Sequence, residues 1–178
     1  MDLHEFTGGN MYFNENISSE VLELLAIASD AYAKGGAEQP LIMAYGREPE
    51  SLTVLVGLYR FYYYQRRYQN ALEVADRMMG LASKKLNFPE SWEYLDITVL
   101  GYGVMQSMTL VRFYLLSLKG AGYLNLRLGN IDVGTTMLEK VVELDTEDRL
   151  GALALLNVVE SYQRRASSNF DKLALVYQ

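Results

Sequence analysis

Apolar residues in this chain recur at three- and four-residue steps, in paired stretches separated by glycine, proline or arginine breaks. That spacing fits helices packed on one another. In 18–34, SSEVLELLAIASDAYAK, one stripe is formed by Val21, Leu24, Leu25, Ala28, Ala31 and Tyr32; Ser18 or Ser19 can cap its start and Gly35-Gly36 can stop it. A shorter helical piece, EQPLIMAYGR, follows; Pro49 breaks the chain and Ser51 can cap the next helix. Segment 51–85 reads as a hairpin, with Leu55, Leu58, Tyr59 and Tyr62 on one stripe, a turn near Arg66-Arg67, and Ala71, Leu72, Ala75, Met78 and Met79 on the second. Segment 107–145 repeats the plan around Gly129-Asn130, with Leu118, Ala121, Gly122 and Leu126 before the turn and Leu138, Val141, Val142 and Leu144 after it. GALALLNVVESY reads as a final helix. No segment alternates with period two between turn signals, so no sheet is expected.

The chain of 178 residues, half hydrophobic, is long enough for one domain with a real core. It contains no cysteine, which removes disulfides, thiolate chemistry and the soft ligands of ordinary zinc sites. The net charge of −6 repels phosphate backbones. No run of 18 apolar residues exists, and MDLHEFTGGN lacks the basic and apolar regions of a secretory signal, so a cytoplasmic protein is expected.

Between the hairpins, 86–106 (LNFPESWEYLDITVLGYGVMQ) breaks the regularity, with Pro89, Gly101, Gly103, three acids and no basic residue. A helix beginning near Ser91 is expected inside it, and GYG at 101–103 is read as a helix break. Trp92 is expected to plug this insertion onto the core, and Met78, Met79, Met105 and Met108 to fill core gaps.

Paired helices recurring at about 34 residues are the signature of a known repeat. The stretch LLSLKGAGYLNLRLGNIDVGTTMLEKVVELDTED resembles a tetratricopeptide repeat: Leu118 at the large-residue site, Ala121-Gly122 at the Leu-Gly pair, Gly129 at the turn and Gly134 at the small site of the second helix. The first of these hairpins matches at Leu55, Leu58, Tyr62, Tyr68 and Ala71, and departs at Tyr59 and Arg66, where a small residue and glycine are usual. Segment 18–50 resembles a degenerate repeat with a short second helix. The combination RFYYYQRR, SLKGAGYLNLRLG and ELDTEDRLGA resembles a small family of bacterial tetratricopeptide proteins associated with nitrogen-fixation gene clusters. The resemblance implies an all-α, right-handed superhelix of about three hairpins plus a capping helix. Its expected organisation is a tail at 1–17, a helical domain at 18–165 (repeats 18–50, 51–85 and 112–146, insertion 86–106, cap 147–165) and a C-terminal segment at 166–178.

In such repeats the first helix of each pair lines a concave groove. The resemblance therefore directs Thr53, Val56, Arg60, Tyr63 and Tyr64, and then Leu116, Lys119, Tyr123, Leu126 and Arg127, toward the groove, with Tyr59 and Tyr62 packing inward. Three readings of the tyrosines are open. They are packing residues with wet hydroxyls; or Arg60, Lys119 and Arg127 meet carboxylates while Tyr63, Tyr64 and Tyr123 grip apolar side chains of a protein partner; or they stack single-stranded nucleic acid, which the net charge opposes. The partner-binding set is therefore Arg60, Tyr63, Tyr64, Lys119, Tyr123 and Arg127.

No catalytic set can be assembled. His4 is the one histidine, in a tail. GYG lacks the lysine and context of a phosphate loop. The acids around 139–148 lack the calcium-loop pattern; Glu147 and Asp148 suit a helix N-terminus instead. No catalytic, cofactor-binding or metal-binding residue is assigned. The expectation is a non-catalytic adaptor or assembly factor holding a partner segment, with a secretion-type chaperone as the alternative reading and a homodimer possible through the C-terminal NFDKLALVYQ. No nucleic acid and no membrane is expected as a partner. The tail 1–17, with Phe6, Met11, Tyr12 and Phe13, is apolar enough to fold back on the first repeat.

Overall fold

The computed structural model describes the backbone of residues 15–174 and the side chains of 15–33 and 35–164. Within them the chain is all-α: α1 (Ser19–Ala31), α2 (Glu38–Arg47), α3 (Leu52–Tyr64), α4 (Tyr68–Leu86), α5 (Ile97–Leu128), α6 (Ile131–Leu144) and α7 (Ala152–Ala174), with two short 3-10 turns and no strand among the described residues. Each helix packs chiefly on its neighbours in sequence, α1 on α2 through to α6 on α7. Three antiparallel pairs result, α1–α2, α3–α4 and α5–α6, with α7 against the last.

The three pairs turn in the same way. Gly35, Arg66 and Gly129 sit at φ of +75°, +58° and +89°. In each turn that residue's N–H donates to the carbonyl three residues back, and the next N–H donates to the carbonyl five residues before it: Gly35 to Tyr32 and Gly36 to Ala31, Arg66 to Tyr63 and Arg67 to Tyr62, Gly129 to Leu126 and Asn130 to Asn125. This pattern satisfies the carbonyls that a helix end leaves open. The starts of α1 and α3 are set by serine side chains, whereas α2, α4 and α6 begin with no side-chain cap. Val21 N–H donates to Ser18 Oγ and Val54 N–H to Ser51 Oγ, both at 3.4 Å. Asp148 Oδ1 accepts from Leu153 N–H at 3.0 Å, as an acid before α7 should.

Small residues bring α5 and α6 together. A Cβ on Gly134 would lie 2.7 Å from the Gly122 carbonyl and 2.8 Å from Leu126, and one on Gly122 would lie 3.2 Å from the Gly134 carbonyl. The two backbones touch where side chains would otherwise hold them apart. One core runs from Leu52 and Leu55 through Met78, Phe113, Leu118 and Leu138 to Leu156, and a smaller one joins α1 and α2 to α3 through Val21, Leu41, Val54 and Phe61.

The segment before the last pair differs from the sequence reading. Ser91 caps only a 3-10 turn over Trp92–Tyr94; α5 starts at Ile97, capped by Asp96 Oδ1, which accepts from Thr98 and Val99 N–H at 2.7 and 2.8 Å. Gly101 and Gly103 do not break the helix. Gly103 is there because the Phe88 ring lies on it: a Cβ would come 2.5 Å from Phe88 Cε1. The break falls at Ser107, whose backbone is extended (φ −162°, ψ 99°) and whose Oγ accepts from Leu110 N–H. Met78 and Met79 are core residues as expected, whereas Met105 and Met108 are 85% and 56% exposed. Met105 lies just before the break and Met108 just after it, and among the described residues that stretch of α5 is covered on one side only. Trp92 is half-buried against the core. Tail residues 1–14, including His4, and the side chains of Phe170, Leu173 and Val176 lie outside what is described, so the folding-back and C-terminal contact readings do too; the backbone of 166–174 continues α7.

Candidate functional site

The stretch RFYYYQRRY, 60–68, ends α3, makes the turn and opens α4. A helix turns about 100° per residue, so its consecutive aromatics point to different sides. Phe61 is buried in the smaller core and meets Tyr62 edge-on at 5.5 Å. The Arg67 guanidinium lies 4.6 Å over the Tyr62 ring, and Arg67 also pairs with Glu38 of α2. These residues fasten one hairpin to the next. Burial raises the Tyr62 pKa, with the Glu38 charge adding to it and Arg67 opposing.

The remaining members face a continuous surface. Between α1 and α3 lies a cavity of about 440 Å³. Leu25, Ala28 and Tyr32 form one wall, and Thr53, Arg60 and Tyr64 the other. Gly57 forms part of its floor, and a Cβ there would press on Leu41 at 3.1 Å. Burial and the neighbouring Tyr64 raise the Tyr32 pKa, which Arg60's positive charge partly offsets. Arg60 thus brings a positive charge to a hollow lined by apolar and phenolic side chains and by Ser29 and Thr53.

Tyr64 links the hollow to a second group. Its ring meets Tyr63 edge-on at 5.5 Å. Tyr63 in turn stacks on buried Tyr59 at 6.2 Å and reaches Tyr123 of α5 at 5.9 Å and Tyr68 of α4 at 6.4 Å. The Arg127 guanidinium lies 4.6 Å over Tyr68 and 5.8 Å from the Tyr123 ring, and its Nη1 donates to Tyr123 Oη at 2.7 Å. That bond and the nearby phenols hold the Arg127 pKa above its usual value. Five of the six residues singled out in the sequence, Arg60, Tyr63, Tyr64, Tyr123 and Arg127, therefore adjoin one another.

Lys119 does not join the ring cluster. Its Nζ donates to the Leu150 carbonyl at 2.7 Å and ties α5 to the α6–α7 loop. Leu116 is 1% exposed and faces no open surface, and Leu126 is half-buried with its side chain against the Gly134 backbone. Tyr59, at 1%, packs inward as expected.

The sequence reading omitted the α1 wall. Leu25, Ala28 and Tyr32 follow the three- and four-residue step of a helix face, which the sequence reading assigned to a packing stripe, whereas Thr53, Val56 and Arg60 were directed to the groove by the repeat resemblance. It also missed Tyr68 as the surface on which Arg127 rests, and Glu15. The Glu15 carboxylate accepts from the N–H groups of Leu52 and Thr53 and the hydroxyls of Ser51 and Thr53 at 2.9–3.1 Å, with Lys85 Nζ at 3.9 Å. A negative group there meets the positive end of α3. No local pattern connects Glu15 to residues 36–38 positions away.

Chemically the surface offers aromatic faces, phenolic hydroxyls and two guanidinium groups. Among the described residues no cluster of three or more His, Asp or Glu side chains could hold a metal ion, and no helix is long and apolar enough to cross a membrane.

No protein-family model and no solved structure matches the chain. A protein of Azotobacter chroococcum mcd 1 does. Described as an uncharacterized 19.8 kDa protein in the nifW 5′ region, it is 48% identical over 162 residues, which span 91% of this chain and 90% of that one.

Proposed function

This chain belongs to the family of the Azotobacter chroococcum nifW 5′-region protein, and on that premise we propose that it is a cytoplasmic, non-catalytic adaptor or assembly factor accessory to nitrogen fixation. In this reading its hairpins form a tetratricopeptide-type right-handed superhelix, and the concave side holds a segment of a protein partner. The repeated turn at Gly35, Arg66 and Gly129 and the Gly122–Gly134 contact support the architecture. The observation that carries the function is the unbroken run from the Arg60 hollow through Tyr64, Tyr63 and Tyr123 to Arg127.

Chemistry defines the partner segment. An apolar side chain enters the hollow between Leu25, Tyr32 and Thr53, and acidic residues on either side reach Arg60 and Arg127. Tyr and Arg are the residues that most often dominate binding energy, with losses of about 2 kcal/mol or more on truncation, roughly 30-fold in affinity. The net charge of −6 disfavours nucleic acid on the same surface.

The test is capture from extracts of nitrogen-fixing cells by the wild type and by the double variant Arg60→Glu/Tyr64→Ala, with melting curves to confirm that both fold. The expected result is a protein retained by the wild type and lost by the variant, and a synthetic acidic–apolar peptide from that protein that binds at least 30-fold more weakly to the variant. Identical capture by both, or recovery of nucleic acid, overturns the reading.

A further inference from the structure

Between α4, residues 90–92 and Tyr114 of α5 lies a second cavity, of about 330 Å³. Its base is buried and its rim is open. Met79, Ser83 and Tyr114 form the base, Asp76 and Glu90 stand exposed at the rim, and Trp92 is half-buried beside them. The chain is held in this shape from several sides. Asn87 ends α4 with a left-handed backbone (φ +54°), and Ser83 Oγ donates toward the carbonyls of Phe88 and Pro89 at 3.3 and 3.0 Å. Phe88 meets Tyr114 edge-on at 5.3 Å. Beyond the 3-10 turn, Lys140 Nζ of α6 donates to the Leu95 carbonyl at 3.3 Å. The wall that carries Trp92 is therefore fixed at both ends.

The polar groups around this cavity lack partners. Tyr114 is buried but for 2% of its surface, yet its hydroxyl makes no hydrogen bond to a described residue and is not sealed off, so that oxygen opens onto the cavity. Neither Asp76 nor Glu90 forms an ion pair or hydrogen bond among the described residues, and no basic residue lines the cavity. Enclosure, with the charge of Glu73 adding to it, raises the Asp76 pKa, as expected of a carboxylate short of a counter-charge. These groups define what is missing. It is cationic, because two negative charges and no positive one surround it. It is flat, because an indole face attracts a cation laid over it and a plane stacks there best. It carries several N–H donors, because the two carboxylates and the phenol all accept. A guanidinium meets all three conditions, whereas an ammonium lacks the plane and the fork. We propose that this cavity binds a guanidinium group, stacked on Trp92, with Asp76 and Glu90 neutralising its charge and Tyr114 Oη accepting one N–H. Either an arginine side chain or a free guanidino compound supplies such a group. The site shares no residue with the Arg60–Arg127 surface and does not rest on the function proposed for it.

Trp92 is the only tryptophan of the chain, so its fluorescence reports on this cavity alone. The full-length protein is titrated at low ionic strength with N-acetyl-arginine amide and with methylguanidine. N-acetyl-lysine amide and the uncharged N-acetyl-citrulline amide serve as comparisons. A saturable change in Trp92 emission is expected with both guanidinium probes, about fivefold weaker binding with the lysine amide and none with the citrulline amide. The double variant Asp76→Asn/Glu90→Gln is expected to weaken binding about tenfold or more, and Tyr114→Phe about threefold, with melting curves at neutral pH no lower than the wild type's. Tighter binding of the arginine amide than of methylguanidine identifies an arginine of a protein as the source, and the reverse order a free guanidino compound. No saturable change with either guanidinium probe overturns the proposal. So does an equal response to the lysine or citrulline amide, or binding that the double variant leaves undiminished.

Discussion

Arg66 occupies the place where its two counterparts are Gly35 and Gly129, and it adopts the same left-handed backbone at φ +58°. A side chain there is strained against the carbonyl that follows, a cost that glycine avoids. Arg66→Gly is therefore expected to stabilise the fold by about 0.5–1 kcal/mol, seen as a melting temperature higher by about 1–4 °C. The sequence showed the departure from glycine at this position; the structure shows that the backbone kept the glycine geometry regardless. Tyr114 supplies a second test at this scale. It is 2% exposed, in edge contact with Phe88, and burial pushes its pKa up to about 12 from an ordinary 10.0. The folded state therefore holds the phenol proton more tightly than the unfolded one, and the contribution to stability is fully present below pH 10. It is lost as pH rises toward 12. Tyrosinate absorbance should show the Tyr114 phenol among those that lag behind the rest, while the melting temperature falls across that window. In Tyr114→Phe one of the lagging phenols should be lost and the fall should shrink.

At the scale of helices, the approach of α5 to α6 rests on two glycines whose backbones meet. A methyl on Gly134 would sit 2.8 Å from two Leu126 carbons and 2.7 Å from the Gly122 carbonyl, and a carbonyl in a helix cannot move aside as a flexible side chain does. Gly134→Ala is expected to cost about 1–3 kcal/mol, despite alanine's better helix propensity, whereas Gly80→Ala, with nothing within 4 Å of the added carbon, should be neutral or stabilising. Chemical denaturation of both variants checks the contrast. Elements of this kind were legible in the sequence because they repeat. The caps at Ser18 and Ser51, the turns at Gly35-Gly36 and Gly129-Asn130, and the small residues at Gly122 and Gly134 are all local signals, each with a fixed distance to its helix. The arm of α5 was not legible for the opposite reason. Gly101 and Gly103 look like helix breakers until Phe88, folded back from a different segment, is seen resting on Gly103. Ser107 offers only the cap signal of a serine, which its Oγ fulfils by accepting from Leu110 N–H. The exposure of Met105 and Met108 likewise depends on how much of the molecule reaches that side.

For the whole molecule, the site follows from stacking. The larger core joins α3 to α7, and the smaller one fastens α1 and α2 to α3. Seated this way, α1 and α3 leave the Arg60 hollow between them, and the end of α3 meets α5 at Tyr63 and Tyr123. The adjacency of Arg60, Tyr63, Tyr64, Tyr123 and Arg127 agrees with the repeat resemblance, which directs the first helix of each pair toward one side. The engagement of Lys119 with the Leu150 carbonyl was not legible in the sequence, because it depends on the path of the α6–α7 loop. The proposed role of this surface is to receive a partner segment. Its most direct test is a photoreactive amino acid placed at Tyr64, and in parallel at Val133, half-exposed on α6, in nitrogen-fixing cells. A covalent adduct with one protein from residue 64, absent from residue 133 and suppressed by Arg60→Glu, is the predicted result. Equal adducts from both positions, or none from residue 64, would contradict it.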